Sequence, residues 1–170
     1  KNSQIYSGIS FVGSGSAMPK KVIKNDQLGQ RVDTSDEWIK SRTGIEERRV
    51  IGDNESLIGL ASDAALNAVK MANWDVKTID LIILATSTPD DLFGSAPKIQ
   101  SNLGASNAVA FDLTAACSGF LFGLVTASQF LASGSMKRAV VIGADQLSKW
   151  VDWDDRKTCV LFGDGAGAVA

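Results

Sequence analysis

Two short, unbroken apolar runs, Leu81-Ile82-Ile83-Leu84-Ala85 and Ala139-Val140-Val141-Ile142, constrain this chain more than any other feature. A strand with one wet face alternates apolar and polar residues, whereas a run without alternation needs cover on both faces. The runs therefore predict central strands at Asp80–Thr86 and Arg138–Gly143, with helices above and below. Ala108–Leu113 reads as a third buried strand. Ile5–Gly15 reads as another, with Ile5, Ser7, Ile9 and Phe11 on one face and Gly13 and Gly15 ending it. Thr158–Phe162 starts a further strand, interrupted at Gly163-Asp164-Gly165 and resumed over Ala166–Val169.

Helical signals fill the intervals. Thr34-Ser35-Asp36-Glu37 matches a capping box, with Thr34 accepting from the Glu37 amide ahead of a helix over Ser35–Arg42 that stops at Thr43-Gly44. Asn54-Glu55-Ser56 opens a longer helix to about Asn73, striped by Leu57, Leu60, Ala61, Ala64, Ala65, Ala68 and Val69. Pro97–Leu103 fits a short helix with proline in its first turn. Ala116–Ser133 is apolar and rich in small residues. Strands alternating with helices give an α/β fold with helices on the faces of a sheet. The chain stops at Ala170 inside an expected strand, which reads as a cut domain.

Composition narrows the chemistry. The 170 residues carry 17 Lys and Arg against 19 Asp and Glu, a net charge of -2, which favours neither nucleic acid nor an anionic membrane. No secretory pattern opens the chain and no apolar run has membrane-spanning length, so a cytoplasmic protein is expected. Two cysteines, Cys117 and Cys159, are too few for a disulfide scaffold. There is no histidine, so this polypeptide alone has no imidazole base, and no metal site is expected.

Cys117 lies where the strand ending at Leu113 hands over to the small-residue helix. Free N–H groups at a helix start favour a thiolate and can donate to an oxyanion formed on a thioester carbonyl. Ser118-Gly119 keeps bulk away from the sulfur. The residues alone leave a second reading open, a small buried cysteine filling a gap between helix and sheet. Cys159, alternating in its expected strand, reads as inert core. Gly13-Ser14-Gly15 lacks the rest of a dinucleotide fingerprint. Phe162-Gly163-Asp164-Gly165-Ala166-Gly167 lacks a phosphate-binding lysine and reads as a tight turn with close strand packing.

The stretch Asp112-Leu113-Thr114-Ala115-Ala116-Cys117-Ser118-Gly119-Phe120 resembles the nucleophile motif of the β-ketoacyl-acyl carrier protein synthase III family. Three further segments resemble the same family in the same order. They are Thr34–Ile39 with Ser41–Ile45, then Pro97-Lys98-Ile99-Gln100, then Phe162–Ala168. The resemblance implies a thiolase-like α/β fold, of which residues 1–170 are the N-terminal, nucleophile-bearing half: one α-β-α layering around a mixed, mainly parallel sheet. It implies that Cys117 takes an acetyl group from acetyl-coenzyme A, a thioester substrate rather than a permanently bound cofactor. Trp38 and Arg156 would sandwich the adenine, Thr34 would hold the nucleotide end, and Arg42 would lie near the phosphates. Leu147 and Phe162 would line the acyl pocket, and Phe93 would reach across a homodimer interface into the partner's pocket.

Each of these residues has a plainer role available: Thr34 a helix cap, Trp38 a half-buried core aromatic, Arg42 a solvated helix-end cation, Arg156 a neighbour of two surface acids. The family also uses a histidine and an asparagine to polarise the acyl thioester when malonyl-acyl carrier protein condenses with it. Both belong to the C-terminal half, so this segment alone is expected to be inactive. Alternatives are a related acyltransferase, such as a hydroxymethylglutaryl-coenzyme A synthase or a polyketide starter synthase, and a non-catalytic dimer or carrier-binding domain.

Overall fold

The two apolar runs lie side by side at the centre of one sheet in the computed structural model, which describes residues 8–170. In chain order the elements begin with β1 (Ser14–Ala17), β2 (Lys21–Lys24), α1 (Asn25–Gly29), α2 (Asp36–Thr43), β3 (Glu47–Val50) and α3 (Leu57–Met71). There follow β4 (Leu81–Ala85), α4 (Ala96–Leu103), β5 (Val109–Leu113), α5 (Gly119–Ala132), β6 (Ala139–Gln146), α6 (Arg156–Cys159) and β7 (Asp164–Val169). The main sheet has the order β1-β7-β6-β4-β5, and β2 pairs separately with β3. Strands β5, β4 and β6 are mutually parallel, while β7 opposes β6 and β1 opposes β7. β1 therefore runs with the central three, and the mixed sheet is mainly parallel.

Every residue of β4 is buried, because successive side chains enter different cores. Ile82 and Leu84 pack with Leu57, Leu60, Val69 and Ile99 of α3 and α4. Leu81 and Ile83 face the other way, towards Ala127, Leu124 and Leu131 of α5. Each such side chain contributes roughly 1.5–3 kcal/mol relative to exposure, which explains why no polar residue interrupts the run. A third cluster, of Leu28, Ile39, Cys159 and Val160, joins α1, α2 and α6 beside the sheet.

Several expectations are corrected. The strand expected over Ile5–Gly15 begins outside the described residues, and within them strand structure covers Ser14–Ala17 instead. Gly13 and Gly15 do not end it. They let β1 pass directly beneath α3, where a Cβ on Gly15 would sit 2.2 Å from the Ala64 carbonyl oxygen and one on Gly13 2.2 Å from that of Ala68. β5 is only partly buried, with Val109 exposed, since it pairs with β4 alone among the described residues.

Cys159 closes a helical turn rather than alternating in a strand. Asp155 starts that turn by accepting from the Lys157 amide and the Thr158 hydroxyl. Strand β7 then begins at Asp164, so Asp164-Gly165 lies inside it and not in a break. Gly163 does permit close packing, since a Cβ there would stand 2.9 Å from the Arg49 carbonyl oxygen. The cap of α2 is also displaced by one residue. Ser35 Oγ accepts from the Trp38 amide at 3.1 Å, which leaves Thr34 outside the helix.

Candidate active site

The polypeptide reaches Cys117 through a backbone reversal. Ala116 has φ +48°, a left-handed conformation that costs an alanine free energy, and a 3-10 turn over Ala116–Ser118 follows before α5 starts at Gly119. The helix therefore starts beyond the cysteine rather than at Ala116. The Cys117 thiol is exposed. It opens into a cleft of about 440 Å³ walled by Met18, Phe120, Gly143, Asp145 and the Asp164–Gly167 start of β7. Gly143 keeps this wall low, since a Cβ there would meet the Phe120 ring at 3.2 Å. Within this chain Cys117 fills no gap between helix and sheet, whereas Cys159 is fully buried. Burial pushes the Cys159 thiol above its ordinary range.

Acidic residues at strand ends hold the loops around the cleft. Asp145, at the end of β6, accepts from Ser87 N at 2.8 Å and from the Thr86 and Thr88 hydroxyls. Asp164 accepts from Ile51 N at 2.7 Å, Ser148 N at 2.9 Å and Ser148 Oγ at 2.6 Å. Asp112, in the strand leading to Cys117, accepts from Ser95 N and Ala96 N at the start of α4. Each carboxylate replaces lost hydration with donors fixed by backbone or short side chains. Reading the sequence for periodicity passed these residues over. The available signal was an acid inside an otherwise apolar strand, as in Ala110-Phe111-Asp112-Leu113 and Ile142-Gly143-Ala144-Asp145.

A second group assembles apart from the cleft. The Trp38 indole carries the Arg42 guanidinium carbon 4.5 Å from its centroid and that of Arg156 at 5.0 Å. Arg156 also donates to the Asp33 carbonyl at 2.8 Å. Its ion-pair contact is thus with Asp33, at 3.6 Å, and not with the two acids beside it in sequence. Thr34 Oγ1 is buried with no hydrogen-bonding partner among the described residues. The arrangement combines a flat aromatic face, two planar cations and one unspent polar group, the elements that hold a nucleobase by stacking plus a single hydrogen bond. Helix α2 presents Trp38 and Arg42 on one side because they are four residues apart, and Gly44 ends it at φ +73°.

The remaining predicted residues lie elsewhere. Leu147 and Phe162 stand just beyond the Gln146–Asp164 pair that closes the β6–β7 ladder, flanking the cleft rather than lining its wall. Phe93 is 92% exposed, as is the neighbouring Leu92 at 91%, on a loop between β4 and α4. Asp91 shapes this loop, accepting from the Phe93 amide and pairing with Lys98 at 2.6 Å. On α5, Gly119, Gly123 and Ala127 face the sheet while Leu121, Phe122 and Val125 are exposed. Among the described residues no cluster of three or more His, Cys, Asp or Glu side chains is placed to hold a metal, and no helix is long and apolar enough to cross a membrane.

Comparison with known proteins places the fold and the sequence. The model of the 3-oxoacyl-acyl-carrier-protein synthase III family matches residues 111–170. A β-ketoacyl-acyl-carrier-protein synthase III of Prochlorococcus marinus strain NATL2A is 88% identical over 169 residues, 99% of this chain and 50% of that protein. The crystal structure of 3-oxoacyl-acyl-carrier-protein synthase III from Aquifex aeolicus VF5 superposes with a TM-score of 0.92 at 50% identity, covering 95% of this chain and 53% of the other. The priming β-ketosynthase of the R1128 polyketide pathway gives a TM-score of 0.90 at 34% identity, covering 94% of this chain and 48% of the other. The chain thus spans about half the length of the proteins it matches. With a thiolase-like α/β fold and this sequence identity, it belongs to the β-ketoacyl-acyl carrier protein synthase III family.

Proposed function

We propose that this chain is the N-terminal, nucleophile-bearing half of a cytoplasmic, homodimeric β-ketoacyl-acyl carrier protein synthase III that initiates type II fatty acid synthesis. The observation that carries the reading is the exposed Cys117 thiol at the mouth of a cleft, set there by the strained turn at Ala116. The Cys117 thiolate attacks the acetyl carbonyl of acetyl-coenzyme A. A new carbon–sulfur bond forms, the bond to the coenzyme A sulfur breaks, and coenzyme A leaves as a thiolate that takes up the proton the Cys117 thiol gave up on ionising. Malonyl-acyl carrier protein then loses carbon dioxide, and the electron pair of that bond becomes the carbanion that attacks the acetyl thioester and expels Cys117. The histidine and asparagine that stabilise the developing oxyanion come from the second half, and removing one such donor typically costs about 2.7–4 kcal/mol.

The other residues take the roles their surroundings favour. Trp38 and Arg156, whose guanidinium carbon stands 5.0 Å from the indole centroid, part to take the adenine between them, and that movement uncovers the buried Thr34 Oγ1 to supply a hydrogen bond to the base. Arg42 serves the phosphates. Leu147 and Phe162 border the acyl end, and the exposed Phe93 enters the pocket of a second copy. The exposed α5 face of Leu121, Phe122 and Val125 is where the second half packs, since an apolar helix face of this kind is not left in water. The likeness to a priming polyketide ketosynthase supports a second reading, the same chemistry with a different primer.

The test uses the intact polypeptide carrying this segment and radiolabelled acetyl-coenzyme A. One acetyl group per chain is expected on Cys117, with none retained by Cys117→Ser. Label persisting in that variant removes Cys117 from its role.

A further inference from the structure

Arg48, on β3, is 5% exposed yet faces no carboxylate within ion-pair distance. Its Nη1 donates to the Ile23 carbonyl at 3.1 Å. Its Nη2 donates to Asn25 Oδ1 at 2.7 Å and to the Val160 carbonyl at 3.2 Å. Its Nε has no partner among the described residues. A buried, incompletely satisfied cation is costly, so its retention asks for a purpose beyond packing. Asn25, itself 1% exposed, extends the network. Its Nδ2 donates to Asp36 Oδ1 at 2.8 Å and to the Ile45 carbonyl at 2.7 Å.

These contacts have a pattern. Asp36 is the first residue of α2 and Ile45 follows its Gly44 cap, so Asn25 grips that helix at both ends. Val160 is the C-cap of α6, the short helix that begins with Arg156. One guanidinium and one amide thus tie together the two helices that carry Trp38, Arg42 and Arg156, none of which they touch. Arginine suits this because its rigid fork serves several acceptors in fixed directions, where a lysine is a single mobile charge.

We propose that Arg48, acting through Asn25, is a positioning residue that sets the spacing between Trp38 and Arg156 and so tunes recognition of the nucleotide end of the coenzyme A thioester. The inference rests on the reading of those residues as the nucleotide clamp. Arg48 takes no part in acyl transfer to Cys117, because its side-chain hydrogen bonds go to β2, α1 and the cap of α6. Losing it changes how firmly a nucleotide is held and not the chemistry at the sulfur.

The experiment compares two acyl donors in the intact polypeptide, acetyl-coenzyme A and acetyl-pantetheine, which lacks the nucleotide. Variants are Arg48→Gln, Asn25→Asp and, as a probe of the clamp itself, Trp38→Ala. Asn25→Asp keeps an acceptor for Arg48 while replacing both donor contacts with repulsion from the Asp36 carboxylate and the Ile45 carbonyl, so it tests the link if Arg48→Gln fails to fold. Expected is a rise in KM for acetyl-coenzyme A of about tenfold or more in both network variants, from sub-ångström to 1 Å misplacement. Their kcat/KM for acetyl-pantetheine should stay within about twofold of the parent. Equal losses with both donors would mean a merely structural role and overturn the proposal. So would an unchanged acetyl-coenzyme A KM in the network variants while Trp38→Ala raises it. If Trp38→Ala itself leaves that KM unchanged, the clamp reading falls and the proposal with it.

Discussion

Replacing Thr34 by valine should move stability and substrate affinity in opposite directions. Valine keeps the shape and branching of threonine and deletes only the hydroxyl. Thr34 Oγ1 is buried without a hydrogen-bonding partner among the described residues, while Ser35 caps α2. An unpaired buried hydroxyl costs about 1–3 kcal/mol in desolvation, so its removal should be stabilising, by up to that amount. At roughly 2–4 °C per kcal/mol, the melting temperature of the unliganded protein should rise by a few degrees. Once a bound nucleotide has parted Trp38 from Arg156 and uncovered it, the same hydroxyl is expected to make one hydrogen bond worth about 0.5–1.5 kcal/mol. KM for acetyl-coenzyme A should therefore increase about 2- to 12-fold, with kcat nearly unchanged. The two assays are thermal unfolding without ligand and steady-state kinetics on the intact protein. A helix-capping Thr34 gives the contrary result, a loss of about 0.5–2 kcal/mol on substitution. Destabilisation of that size, or an unaltered KM, would refute the reasoning.

Gly15→Ala places a Cβ 2.2 Å from the Ala64 carbonyl oxygen and 2.5 Å from the Ala68 amide nitrogen, both helix backbone that cannot rotate aside. Urea denaturation should register a loss of about 3 kcal/mol or more, whereas Gly8→Ala, with nothing within 4 Å, should change stability by less than about 0.5 kcal/mol. Cys159 gives a pH dependence. Burial raises its pKa in the folded state, so the stability it contributes is complete below the ordinary thiol pKa of about 8.5 and is lost as pH rises through the shifted value. Denaturation midpoints measured between pH 7 and 10 should fall less steeply for Cys159→Ala than for the parent, and parallel slopes would rule the assignment out.

Most of the scaffold was legible in the residues because its periodicities are local. The stripe from Leu57 to Val69 faces one core, and the run from Leu81 to Ala85 lies between two. The errors fell where a local signal has two interpretations. Thr34-Ser35 offers two adjacent hydroxyls to one helix start, and only the φ and ψ of Ser35 decide which caps it. Thr158-Cys159-Val160-Leu161 suits a strand by composition, yet Asp155 starts a helical turn first.

Residue identity and short-range pattern were enough for the layered α/β order, the lack of any histidine within this segment and the family to which Cys117 and its neighbours belong. None of these needs coordinates. The packed fold was needed to see that Gly13 and Gly15 admit a helix overhead and that Thr34 keeps an unspent hydroxyl. It alone showed that Arg48 and Asn25 bind α2 to α6. Each of these depends on a distance between segments remote in the chain, set by how the helices pack on the sheet and not by any periodicity along it.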